Sequence, residues 1–176
     1  PIPTLTQPVA EGEHVQIPQL GLRFRVLDIP GHTRAHIAYY GANSLFCGDT
    51  LFGCGCGRLF EGTHQQLFAS LQKLAKLPSE TAVYCAHEYT EHNIRFARTL
   101  DPQNAALASR QKDAAQLRET DKPTLPSTIG LELETNPFLR CHTASIKAAA
   151  GLYETGLRQI EAEQVFGTIR EMRNHY

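Results

Sequence analysis

Pro30-Gly31-His32-Thr33, Cys47-Gly48-Asp49-Thr50 and Cys85-Ala86-His87-Glu88-Tyr89 share one pattern that sets the expected architecture. Each places a side chain able to bind a metal just past a short apolar run, with Gly or Ala beside it. An imidazole, a carboxylate and a second imidazole at the ends of three β-strands can converge on one edge of a sheet. A borderline cation such as zinc takes His nitrogen and Asp oxygen and keeps a position open for water. Singly, each residue has a plainer reading: His32 as a turn residue after Pro-Gly, Asp49 as a turn or helix cap, His87 as a hydrogen-bonded histidine at a strand end. Repetition of one pattern three times is what favours the metal.

Around these stretches the first half reads as β-structure. His14 to Ile17 is a short strand. Leu22 to Ile29 is a stronger one, with Leu22, Phe24, Val26 and Asp28 on one face and Arg23, Arg25, Leu27 and Ile29 on the other, ending at a Pro-Gly turn. Ile37 to Tyr40 and Ser44 to Cys47 form a hairpin through Gly41-Ala42-Asn43. Leu51 to Gly62 holds Gly53, Gly55, Gly57 and Gly62 and reads equally as a flexible loop or as backbone that approaches a ligand closely. Within it, Cys54 and Cys56 read as small buried thiols in preference to a metal pair. Thr63 caps a helix whose apolar line is Leu67, Leu71 and Leu74, running up to Leu77, and Ala82 to Cys85 is a strand. Strand, helix and strand in that order predict an α/β layered arrangement.

Beyond His87 the pattern turns helical. Thr90 to Leu100 has Ile94 and Ala97 on one face, Arg95 and Arg98 on the other. Asp101-Pro102 is expected to cap a second helix running to about Thr120. Residues 121–138 read as a loop, and Ala144 to Ala150 and Ile160 to Arg173 as the last helices, anchored by Leu157, Ile160, Val165 and Ile169. No internal repeat or low-complexity tract is visible. The expected division is a β-rich part to residue 88 and a helical part over 89–176.

Composition narrows the function. At 176 residues and 41% apolar, the chain suits one generous domain or two small ones. A formal net charge of −1 gives no electrostatic case for nucleic acid or an anionic membrane. No apolar run approaches the ~18 residues of a membrane span, and no signal peptide is visible. Five cysteines, none spaced as a zinc ribbon, predict a reducing compartment, the cytoplasm. A start at Pro1, with residues 1–8 loop-like, is expected of a processed or shortened beginning.

The segments Pro30-Gly31-His32-Thr33, Cys47-Gly48-Asp49-Thr50-Leu51-Phe52, Gly55-Cys56-Gly57-Arg58-Leu59-Phe60-Glu61-Gly62 and Cys85-Ala86-His87-Glu88-Tyr89-Thr90 together resemble glyoxalase II, the hydroxyacylglutathione hydrolase family of the metallo-β-lactamase fold, from about residue 10 onward. The resemblance implies an α/β αββα sandwich, of which residues 1–88 are the C-terminal portion, and a helical glutathione-binding domain over 89–176. It implies two divalent metal ions, zinc first, with iron or manganese as alternatives. His32 would bind one, His87 the other, and Asp49 would bridge them. It places Arg58, Phe60, Tyr89, Arg170 and Arg173 against glutathione, the last two at the glycyl carboxylate, although Ile169-Arg170-Glu171-Met172-Arg173 also reads as solvated helix surface. Glu88 is a candidate for orienting an imidazole.

The activity implied is hydrolysis of the thioester of S-(2-hydroxyacyl)glutathione, S-D-lactoylglutathione foremost, by a metal-activated water, with no Ser or Cys nucleophile and with Cys85 left to packing. One family segment is absent: no H-x-H-x-D-H occurs, and His36, four residues after His32, does not replace it. The expectation is therefore a shortened form that binds metal weakly, is nearly inactive alone, and associates through an exposed face of the strands at 22–29, 37–40, 44–47 and 82–85. The alternatives are a non-catalytic module binding glutathione or a protein partner, and a sulfur dioxygenase of the same fold.

Overall fold

The computed structural model describes residues 3–152 and 160–176. In chain order the elements are β1 (His14–Ile17), β2 (Leu22–Asp28), β3 (Ile37–Gly41), β4 (Ser44–Gly48), β5 (Leu51–Phe52), β6 (Gly55–Cys56), α1 (His64–Leu74), β7 (Ala82–Cys85), α2 (Thr90–Leu100), α3 (Ala105–Glu119), β8 (Ser127–Thr128), α4 (Ile129–Thr135), α5 (Ala144–Ala149) and α6 (Ala162–Asn174). Six strands form one sheet in the order β1-β2-β3-β4-β7-β8, and β5 and β6 form a separate hairpin.

Strands β1 to β4 are an antiparallel meander, and α1 carries the chain across to β7, which runs parallel to β4. Two antiparallel steps make β2 and β4 run the same way, so β2, β4 and β7 all end at one edge. His32, Asp49 and His87 follow those three ends. The turn from β3 to β4 uses Ala42 (φ 49°) and Asn43 (φ 54°), the paired left-handed residues of a two-residue hairpin.

Helix α1 is fixed by a capping box, in which the Thr63 hydroxyl accepts from the Gln66 N–H while the Gln66 side chain accepts from the Thr63 N–H. Its buried line of Leu67, Leu71 and Leu74 packs with Leu27, Ala38, Leu45, Cys47 and Val83 of the sheet and with Val165, Phe166 and Ile169 of α6. On the sheet's other face Phe46 and Tyr84 stack at 5.1 Å and Phe24 meets Phe46 edge-on at 5.7 Å. There Phe46 and Tyr84 stay 43% and 38% exposed, so an aromatic strip of those strands does face solvent.

Several expectations are corrected. Helix α3 is capped by Asn104, whose Oδ1 accepts from the Leu107 N–H at 3.0 Å, and not by Asp101. The Asp101 carboxylate is taken instead by Arg140 and by the Asn104 amide, and the Pro102 carbonyl by Arg98. Residues 121–138 are not all loop: β8 pairs with β7 and leads into α4, capped by the Thr128 hydroxyl at the Leu131 N–H. Helix α6 begins at Ala162, two residues after the expected start, with Ile160 buried ahead of it. Leu157 lies outside the described residues. Among the described residues no helix is long and apolar enough to cross a membrane.

The segment before β1 is strapped to the sheet. Gly12 and Glu13 exchange backbone hydrogen bonds with Val26, and the Glu11 carboxylate accepts from the Asp28 N–H and from Lys73 Nζ. The Asp28 N–H, with help from Lys73 and Arg25 and against the cost of desolvation, holds the Glu11 pKa below its ordinary value. A depressed carboxylate pKa contributes stability above the unfolded value and loses it as pH falls through the folded one. Thermal melts should therefore show Glu11→Gln less stable than the unsubstituted chain at neutral pH, with the gap closing on acidification below the ordinary carboxylate range. A gap that does not depend on pH would exclude this role for the charge.

Candidate metal centre and adjoining cavity

Pro30-Gly31 brings His32 back over the sheet edge. Gly31 has φ 149°, and a Cβ there would stand 2.6 Å from Cβ of Leu67, so only glycine passes this close to α1. His32 Nδ1 lies 2.7 Å from the carbonyl oxygen of Arg58. A carbonyl only accepts, so Nδ1 carries the proton and Nε2 presents its lone pair. That Nε2 is 3.5 Å from Oδ2 of Asp49. At the end of β4, Gly48 (φ 51°) leaves room for His36, whose Nε2 accepts from the Asp49 N–H at 3.1 Å. Burial, with His32 nearby, pushes the His36 pKa down and keeps it the neutral acceptor this contact needs. From β7, His87 places Nε2 3.2 Å from Oδ1 of Asp49 and stacks on Tyr89 at 4.8 Å.

His32, Asp49 and His87 are thus brought together, one imidazole to each oxygen of a single carboxylate. Asp49 Oδ1 is buried and receives no hydrogen bond. The His32 Nε2 lone pair and Oδ2 are acceptors turned toward each other, and Oδ1 faces His87 Nε2 without a hydrogen bond. Positive charge between them satisfies that arrangement, so these donors suit divalent cations. Among the described residues no three His, Cys, Asp or Glu side chains close on one point. The geometry is two imidazoles on one carboxylate, Asp49.

The Gly-rich stretch is an ordered hairpin. At Gly57 a Cβ would overlap the carbonyl oxygen of Asp49, and the Gly57 N–H donates to the Thr50 carbonyl at 3.1 Å. From the far side, Asn136 Nδ2 donates to the carbonyls of Phe52 (3.3 Å) and Gly55 (2.9 Å), and Glu132 Oε2 accepts from the Cys54 N–H (2.8 Å). Cys54 and Cys56 are buried and separately engaged, at the Thr135 carbonyl and at Arg170. Burial pushes the Cys54 thiol up to about 12, as it does that of Cys47, so neither is a ready nucleophile. The Cys85 thiol is also raised by burial and donates to the His87 carbonyl. Glu88 does not orient an imidazole: both its oxygens are taken by Thr124, through the N–H at 2.8 Å and the hydroxyl.

Beside the centre lies a cavity of about 250 Å³ lined by Arg58, Tyr89, Arg170 and Arg173, four of the five residues expected against the ligand. Phe60 stays outside it, 69% exposed and tilted over His32 at 4.9 Å. Arg170 is buried, not solvated surface: Nη1 donates to the carbonyls of Cys56 (3.1 Å) and Gly57 (3.4 Å), Nη2 to Asn174 Oδ1 (3.2 Å), and Nε is left without a partner. Arg173 lies over the rings of Phe96 and Tyr176, and burial together with Arg170 lowers its pKa. Among the described residues neither guanidinium has a carboxylate within ion-pairing distance. Sequence reading missed Asn93 and Asn174, which line the cavity together with Phe52 and Cys56, although Asn93 follows Tyr89 and Asn174 follows Arg170 by one helical turn.

Two family models divide the chain: the metallo-beta-lactamase superfamily matches residues 7–87 and the hydroxyacylglutathione hydrolase C-terminus matches residues 88–176. The chain belongs to the hydroxyacylglutathione hydrolase family. The hydroxyacylglutathione hydrolase of Nitrosomonas europaea is 52% identical over 175 residues, covering 99% of this chain and 66% of that protein, and that of Nitrosomonas eutropha is 53% identical, covering 99% and 68%. The chain thus spans about two thirds of the length of these relatives. The fold is that of the metallo-β-lactamase superfamily. Solved neighbours include the BLEG-1 B3 metallo-beta-lactamase (27% identical, TM-score 0.51, 76% of this chain and 48% of that one) and TTHA1623 in a di-iron-bound form (30%, 0.50, 78% and 50%).

Proposed function

We propose that the protein hydrolyses the thioester of S-(2-hydroxyacyl)glutathione, S-D-lactoylglutathione in the first place, releasing the hydroxy acid and glutathione. One observation carries this beyond family membership: Tyr89 both stacks on His87 and lines the cavity of Arg58, Arg170 and Arg173. A ligand seated by its carboxylates on those guanidiniums therefore extends its acyl end toward Asp49. Forked guanidinium donors suit carboxylates, and Arg173, which lines the cavity, has no carboxylate partner among the described residues.

His32 and His87, each with one oxygen of Asp49, would hold two divalent cations. These supply the Lewis acidity that lowers the pKa of a water and polarises the thioester carbonyl. The Arg58 carbonyl keeps His32 in the tautomer that offers Nε2, and His36 holds the Asp49 backbone in place. The departing glutathione thiolate is a good leaving group, so no side chain has to donate a strong acid proton. Zinc fits the N/O donor set. The di-iron neighbour supports two-ion occupancy and keeps iron beside zinc and manganese. Buried free thiols support a reducing compartment, the cytoplasm. The open strip at Phe46 and Tyr84 supports association through that face.

Each half-site has two protein ligands where catalytic zinc sites keep three. The 176-residue chain alone is accordingly expected to bind metal weakly and to turn over slowly. Joining to it the remaining third of the Nitrosomonas europaea relative should give lactoylglutathione hydrolysis that Asp49→Ala abolishes. Hydrolysis that persists in Asp49→Ala, or none in the joined protein at saturating metal, would overturn the proposal.

A further inference from the structure

Asn93 is 5% exposed, and both ends of its amide are engaged. Nδ2 donates to the Gly53 carbonyl at the tip of the β5–β6 hairpin (3.0 Å), and Oδ1 accepts from Arg173 Nη2 (3.3 Å). A carbonyl can only accept and a guanidinium only donate, so the partners dictate which way the amide points. Gly55 packs so tightly against this amide that any side chain there would displace it. One residue thereby joins the hairpin that follows Asp49 to a guanidinium facing the cavity.

The chemistry of the acceptor matters as much as its place. An amide oxygen orients a guanidinium without neutralising it, whereas a carboxylate at the same point would form an internal ion pair. Arg173 is already pressed by burial and by Arg170, and among the described residues no carboxylate relieves it. A site built this way leaves the negative charge to be brought by the ligand. We infer that Asn93 is a positioning and specificity-determining residue, which aims Arg173 and keeps it available for a ligand carboxylate. The inference rests on the glutathione-thioester reading and names a determinant of its specificity.

Calorimetric binding of glutathione and of glutathione diethyl ester, which keeps the amides but loses both carboxylate charges, tests it. The unsubstituted chain should prefer glutathione by about tenfold or more. In Asn93→Asp the new carboxylate occupies Arg173, and the preference should fall to about one; in Asn93→Ala it should fall by about threefold. Ile94→Val, the next residue on α2, should leave the preference intact even if it lowers the melting temperature. Equal weakening of both ligands in Asn93→Asp and Asn93→Ala, with the preference preserved, would show that Asn93 only props the fold and would overturn the inference. If Asn93→Asp does not fold, Asn93→Ala decides by the same criterion. A chain with no preference for glutathione over the ester overturns the underlying reading, and this inference with it.

Discussion

Glu132→Ala is expected to destabilise the protein by about 3–5 kcal/mol, the cost of stripping one partner from a buried ion pair. Glu132 on α4 is wholly buried, and Arg110 on α3 is 5% exposed. Arg110 Nη2 donates to Glu132 Oε1 at 2.5 Å, and Ser127 shares that oxygen. Oε2 accepts from the Cys54 N–H and from Asn136 Nδ2 at 2.9 Å. Burial is the largest influence on the Arg110 pKa and lowers it, but the charge and the hydrogen bond of Glu132, with Cys54 and Cys85, together outweigh it and the net shift is upward. Alanine would leave a desolvated guanidinium unpaired and release the Cys54 N–H at the tip of the β5–β6 hairpin. Replacing both partners by apolar residues, as in Arg110→Met with Glu132→Leu, should recover much of the stability without restoring the hold on Cys54. Denaturant unfolding measures both variants. A loss under about 1 kcal/mol for Glu132→Ala, the range of an exposed pair, would contradict the assignment.

Asp49→Asn is expected to weaken metal binding at both half-sites at once. The replacement keeps the shape of the side chain and removes the charge. Each oxygen of Asp49 faces its own imidazole, at 3.5 Å for His32 and 3.2 Å for His87, and among the described residues neither imidazole has a second carboxylate within ion-pairing distance. Even residues that only orient a ligand are worth about 10–100-fold in metal affinity, and the shared carboxylate should exceed that range. His32→Ala should affect one ion and His87→Ala the other.

Much of this centre is legible in the sequence because it depends on local rules. Alternation of apolar residues marks β2, the apolar runs mark β4 and β7, and Pro-Gly marks the turn that presents His32. The parallel course of those three strands then carries His32, Asp49 and His87 to one edge. Thr63 and Gln66 announce α1 in the same local way. What the sequence hides depends on long-range partners. Asn104 caps α3, while Asp101 is engaged by Arg140 from a distant loop. The short elements β8 and α4 sit among prolines and, at two and seven residues, are too short to establish a pattern; their places come from pairing with β7 and from the Arg110–Glu132 contact. Glu88 is next to a candidate ligand in sequence, yet Thr124 claims it. Arg170 and Arg173 share one amphipathic pattern, but only the fold shows that Arg170 is largely spent on the carbonyls of Cys56 and Gly57.

Metal counting across three variants shows whether one carboxylate serves two ions. In the joined protein, equilibrated with Zn²⁺ and freed of loosely held ions, the unsubstituted form should retain two ions, His32→Ala and His87→Ala one each, and Asp49→Asn none. Two ions retained by Asp49→Asn, or both lost on removing either imidazole alone, would contradict a carboxylate shared between two half-sites.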